Sequence, residues 1–259
     1  MTDHIKEYWE NQAETFKDSH WASWGDNFMI DLEISNIREY IDAECKVLDV
    51  GCANGYSTIQ QLKATKLKSI TGIDFSESMV AGANERKKTL SKDEQELVTF
   101  ENGDVRKLPF GNESFDIAYT TRVIINLPTW EEQLNGINEC LRVVKKGGKV
   151  IFCEGFWEPL MRLNAIRLLL GLEPLVEHDF NRYLKQERLK IWLDSKGYNY
   201  NFKDISSIYY MGSRVFRELV TDYESFEGYS NPINKQFYEI QKNYNGGGIG
   251  IQQLLVINK

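Results

Sequence analysis

The stretch from Val47 to Tyr56 constrains this chain more than any other. It reads as a short apolar strand ending in an acid and a glycine turn, after which Ile59 and Leu62 repeat at helical spacing. Glycine takes positive φ and lets a ligand approach the backbone. The start of the following helix offers unpaired N–H groups. A strand, a tight turn and a helix start together make a nucleotide-shaped cleft. A dinucleotide site asks for G-x-G-x-x-G and a helix N-terminus aimed at a pyrophosphate. Here Ala53 takes the middle position and the third glycine is missing. Asp49 stands just before the turn, where it would repel phosphate and suit a cationic ligand.

Further landmarks repeat the strand-then-acid pattern. Ser69 to Asp74 reads as a second strand ending in a carboxylate, placed to accept both hydroxyls of a ribose. Phe75 follows, and Ser76 is a plausible N-cap for the helix that begins near Met79. Phe100 to Val105 ends a third strand at Asp104, Phe115 to Tyr119 is a fourth, and Gly147 to Glu154 turns into a fifth. Alternating strands and helices over 46–154 imply parallel strands with helices on both faces.

Asp49, Gly51 and Gly55 strongly resemble motif I of the class I S-adenosylmethionine (SAM) methyltransferases, an acid followed by G-x-G-x-G, with Ala53 departing at the middle glycine. Asp74 and Asp104 follow in that family's order and spacing. The resemblance implies an α/β fold: a doubly wound, Rossmann-like sheet of seven mostly parallel strands, the last antiparallel. It implies SAM as cofactor and S-adenosylhomocysteine as product. Asp49 and Gly51, with Cys52 and Ala53 between the glycines, would face the methionine part, and Asp74 the ribose. Phe75 and Met79 would flank the adenine, and Asp104 with the Val105 backbone would read its edge. Residues 1–45 are then an N-terminal helical cap, and 46–259 the methyltransferase domain with insertions at about 155–182 and 209–247.

The cap carries aromatic residues at Tyr8, Trp9 and Trp24, and a ring-rich loop from His20 to Asp26. Aromatic faces attract cations, so Tyr8, Trp9 or Trp24 could close over the sulfonium; packing on the core is the plainer reading. In doubly wound sheets ligands sit beyond the carboxyl ends of the strands, so the segment after the fourth strand should line the methyl-delivery cleft, with Thr121 against the cofactor and Arg122 and Asn126 against the acceptor. Many relatives carry His where Asn126 stands. Arg122 suits a carboxylate or phosphate on the acceptor, or an ion pair with a nearby acid. Glu154, ending the fifth strand, and His178, in the irregular loop after the first insertion, are candidate bases. Asn181, Tyr183, Tyr210 and Arg214 are candidate acceptor contacts. Tyr210 and Arg214 belong to an aromatic second excursion that also holds Tyr223 and Phe226.

Local signals mark other elements. Thr129 and Glu132 fit a capping box, and Lys145, Lys146 and Gly147 fit the end of the same helix. A net charge of −7 argues against a broad phosphate-binding face and so against a nucleic-acid partner. No metal-ligand spacing is present. The four cysteines lack C-x-x-C spacing and fit a reduced cytoplasmic protein. No apolar run is long enough to cross a bilayer, and a lid packed on the protein is preferred over a membrane helix near Leu160–Leu170. The chain is therefore expected to methylate an oxygen or nitrogen of a small polar acceptor, a sugar or another metabolite. Its rivals are a nucleic-acid methyltransferase and a non-catalytic SAM-binding module. Nothing in the sequence gives the oligomeric state.

Overall fold

The computed structural model describes residues 3–16, 24–221, 228–229 and 231–259. Tyr223, Phe226 and the loop from His20 to Ser23 lie outside them. The strands are β1 (Lys46–Val50), β2 (Ser69–Asp74), β3 (Val98–Asn102), β4 (Phe115–Thr121), β5 (Val144–Gly155), β6 (Asn199–Asp204) and β7 (Gln252–Asn258). They form one sheet in the order β3-β2-β1-β4-β5-β7-β6. β1 to β5 pair in parallel, and β7 runs antiparallel to both β5 and β6. This is the α/β arrangement expected, with the last strand reversed.

Both faces of the sheet are covered, so its strands read as nearly unbroken apolar runs. Successive side chains point to opposite faces. Val47, Ile70, Ile151 and Val256 feed one core, and Leu48, Ile73, Phe152 and Ile257 feed the other. Each such side chain contributes about 1.5–3 kcal/mol by leaving water. The first core is closed by α2 (Asn27–Arg38) and α3 (Tyr56–Ala64), the second by α6 (Trp130–Val143) and α8 (Gln186–Lys196). The four cysteines carry no disulfide. Among the described residues, no helix is long and apolar enough to cross a membrane.

Cap chemistry explains several boundaries. Ser76 accepts from Met79 N at the start of α4 (Glu77–Lys87), and Gly197 ends α8 in the left-handed conformation. Two local expectations need correction. Thr129 accepts from Glu132 N, but the Glu132 carboxylate turns to Arg106 at 2.8 Å, so only half of that capping box forms. The complete box is Ser91 with Glu94, at the start of α5 (Lys92–Leu97). Lys145 and Lys146 do not end α6. The β-branched pair Val143 and Val144 is fully buried, and β5 starts at once. Lys145 then pairs with Asp116 at 2.6 Å.

Two excursions stand beside the sheet. The first is α7 (Trp157–Leu169) and the irregular segment to Leu184. The second runs through α9 (Ser207–Met211), a π-helical turn (Gly212–Phe216), α10 (Arg217–Val220) and α11 (Pro232–Gln241). A Cβ on Gly212 would lie 1.9 Å from the Phe237 ring, so glycine lets α11 pack against the π-helical turn. α1 (Asp3–Phe16) lies across the start of α4, where Glu10 accepts from Glu77 N and Ser78 N at 3.1 and 3.2 Å. That carboxylate satisfies donors that a helix N-terminus leaves open.

Candidate active site

The strand order reverses between β1 and β4, where ligand crevices form in such sheets. A cavity of about 560 Å³ opens there. Gly51, Ala53, Asp74, Phe75 and Met79 line one part of it, and Thr121, Arg122 and Asn126 line the part beyond β4. Gly51 sits at φ +79°, and a Cβ on it would lie 2.2 Å from Val123 Cγ2, so only glycine fits. Ala53 holds φ +45°, a conformation that costs an L-residue roughly 1–2 kcal/mol. Its N–H donates to Asp74 Oδ2 at 2.9 Å, which helps to hold the turn. Asp74 Oδ1 accepts from Ser76 N at 3.0 Å. Each carboxylate oxygen keeps a second lone pair.

Four of the expected cofactor contacts fall outside the cavity wall. Asp49 is buried behind the turn and accepts from Thr58 Oγ1 at 2.6 Å. Cys52 is buried, and its N–H donates to Ile73 O. The Asp104 carboxylate is gripped by the Arg106 guanidinium, with the nearest approach at 2.6 Å, and Val105 packs into the second core. None of these four side chains lines the cavity. Trp24 does, but its ring face is covered by the Arg122 guanidinium 4.6 Å away, so the cation it serves is internal. Tyr8 and Trp9 enter from α1. Tyr8 lies 4.8 Å from Phe180 and 5.9 Å from His178, ring to ring, and Trp9 packs on Met79. The cap thus meets the segment that follows α7 over the mouth of the cavity.

Glu154 needs the clearest correction. It is fully buried and does not line the cavity. Its carboxylate accepts from Thr120 Oγ1 at 2.6 Å and from the backbone N–H groups of Val123, Ile124 and Ile125 at 3.1–3.3 Å. It shapes the segment after β4 and is not placed to take a proton from an acceptor. His178 lies exposed at the rim. Asn126 donates through Nδ2 to Arg122 O at 2.7 Å, while its buried Oδ1 has no partner. Asn181, Tyr183, Tyr210 and Arg214 all reach the cavity.

Two acids absent from the sequence expectations support this wall. Glu33 of α2 lies 3.3 Å from Arg122 Nε and accepts from Gln252 Nε2 at 3.1 Å. Asp26 accepts from Met29 N, from the Tyr209 hydroxyl at 2.6 Å and from Arg214 Nη2 at 3.1 Å. The sequence held a signal for Glu33. It shares the helical face of Ile30 and Ile37, where a charge must find a buried partner.

Burial pushes the carboxyls of Asp49 and Asp74 up to about 6 and that of Glu154 up to about 7, against the opposing pull of their hydrogen bonds. Unfolded, such groups titrate near 4. Their contribution to stability is therefore fully present below about pH 4 and is lost as pH rises through about 6 to 7. Melting temperatures across this range should fall less steeply for Glu154→Gln than for the parent. Identical slopes would contradict the assignment for Glu154.

The crevice, its glycine turn and the acid that ends β2 fit a Rossmann-like methyltransferase fold. Residues 47–148 match the methyltransferase-domain family. The chain is 31% identical over 105 residues to the 27-O-demethylrifamycin SV methyltransferase of Amycolatopsis mediterranei, covering 40% of this chain and 36% of that protein. It thus spans about a third of that relative. It is 27% identical over 207 residues to the ubiquinone biosynthesis O-methyltransferase of Pseudomonas entomophila, covering 78% and 82% of the two chains. Its fold is similar to that of the geranyl diphosphate C-methyltransferase of Streptomyces coelicolor, with a TM-score of 0.62 at 13% identity over 99% and 97% of the chains. These likenesses support the resemblance of residues 47–148 to the class I SAM-dependent methyltransferases.

Proposed function

We propose that this protein transfers a methyl group from SAM to an oxygen or nitrogen of a small acceptor. The observation that carries this reading is the single cavity at the β1–β4 crevice, which joins the glycine turn and Asp74 to a separate polar wall around Arg122 and Asn126. The residues present fit the cofactor. Gly51 keeps the turn open where a Cβ would collide, and Asp74 keeps lone pairs for hydroxyls. The bound cofactor supplies a sulfonium methyl carbon: the acceptor lone pair forms the new C–O or C–N bond, the C–S pair stays on sulfur, and S-adenosylhomocysteine is left.

The chain's own work is then alignment and exclusion of water. Trp9 and Met79 give the adenine an apolar flank. Asn126 Oδ1, buried and unpartnered, accepts from the O–H or N–H of the acceptor and fixes its lone pair. The proton released leaves toward the mouth, where His178 is the candidate base on this side of the cavity.

The test is formation of S-adenosylhomocysteine from SAM against a panel of hydroxy acids, amino acids, sugars and amines. Turnover should appear with a hydroxyl- or amine-bearing member, and Asn126→Ala should lower kcat about 10-fold or more by removing one oriented hydrogen bond. Tight cofactor binding with no turnover on the whole panel would favour a non-catalytic binding module.

A further inference from the structure

The acceptor wall of the cavity holds two arginines with buried N–H groups that no acceptor in the fold satisfies. Arg122 and Arg214 both line it. Arg214, in the π-helical turn, has a side chain only 11% exposed. It donates through Nη2 to Asp26 at 3.1 Å, while its buried Nη1 has no hydrogen-bond partner. Arg122 touches Glu33 through Nε at 3.3 Å, yet that buried nitrogen makes no hydrogen bond either. Buried donors are normally satisfied, and guanidinium groups are built to grip planar oxyanions through paired N–H groups.

One acid stands behind each arginine, but neither fills its donors. Asp26 divides its two oxygens among Met29 N, the Tyr209 hydroxyl and Arg214. Glu33 is shared with Gln252, and burial pushes its carboxyl above the ordinary range. Rings complete the wall. Tyr229 lies 4.8 Å and Tyr210 5.3 Å from the Arg214 guanidinium, and Trp24 lies beneath Arg122. These faces hold the guanidinium planes in place.

We propose that the methyl acceptor carries a carboxylate, held by Arg122 and Arg214, and a hydroxyl or amine held by Asn126 Oδ1. This rests on the methyltransferase reading above. A monoanion fits better than a phosphate monoester. A dianion would bring two negative charges to a cluster that already holds two arginines and two acids. The carboxylate fixes one end of the acceptor, and Asn126 turns the other end toward the methyl.

The test uses paired probes of equal shape: 4-hydroxyphenylacetate with its amide, and propionate with propionamide. Binding is followed through the Nε–H resonances of Arg122 and Arg214, with and without S-adenosylhomocysteine. In the parent protein each acid should bind at least about 10-fold more tightly than its amide, the order expected for one charge-assisted hydrogen bond, and should shift both resonances. Arg122→Gln and Arg214→Gln, checked for folding by thermal melting, should each reduce that preference, and Arg214→Lys should retain part of it. The comparison in the parent needs no variant, so a misfolded mutant leaves the result intact. Equal binding of acid and amide would overturn the proposal, as would acid binding that leaves both arginine resonances unmoved. Tighter binding of inorganic phosphate than of propionate would overturn the choice of a carboxylate. Failure of S-adenosylhomocysteine to bind would overturn the parent reading separately, since the acid preference is also scored without it.

Discussion

Asp74→Ala should raise the Kd for SAM by about 100-fold or more. Two ribose hydroxyls lose a charged acceptor, each such bond contributing about 1.5–3 kcal/mol. The variant also frees Ala53 N–H and Ser76 N–H, which Asp74 holds at 2.9 and 3.0 Å. Ala53 is then less firmly kept at its positive φ, and the turn that faces the cofactor loosens. Equilibrium dialysis with labelled SAM reads the effect, and a melting curve confirms that the variant folds. An affinity within about threefold of the parent, in a folded variant, would remove the ribose role from Asp74.

The second large effect is on stability. Glu154→Ala should destabilise the protein by at least about 3 kcal/mol, because the buried N–H groups of Ile124 and Ile125, the half-buried N–H of Val123 and the Thr120 hydroxyl lose their acceptor and an unsatisfied buried donor costs about 1–3 kcal/mol. The affected segment carries Arg122 and Asn126, so acceptor binding should weaken with it. Glu154→Gln keeps one acceptor oxygen and should lose less. Urea unfolding measures both. A loss below about 1 kcal/mol for the alanine variant would show that water replaces the carboxylate.

The sheet was legible because its signals are local. Each β-strand before an acid carries its own apolar run, and the two-residue alternation that feeds both cores is visible in Val47-Leu48 and Ile151-Phe152. Gly51, Ala53, Asp74, Phe75 and Met79, picked out by motif spacing, share one cavity. Asp49 and Asp104 do not line it. Their position at strand ends is a sequence property, but which way a carboxylate turns depends on Thr58 and Arg106, whose approach is set by the fold. Glu154 fails for the same reason. A strand-end acid reads as catalytic until four donors converge on it. Asp26 and Arg214 lie 188 residues apart, and no local spacing announces such a pair.

The account rests on the cavity being a SAM site, and calorimetric titration with S-adenosylhomocysteine beside NAD tests this most directly. It predicts a single-site isotherm for S-adenosylhomocysteine and no heat of binding for NAD. Binding of NAD, or of neither ligand, would contradict it.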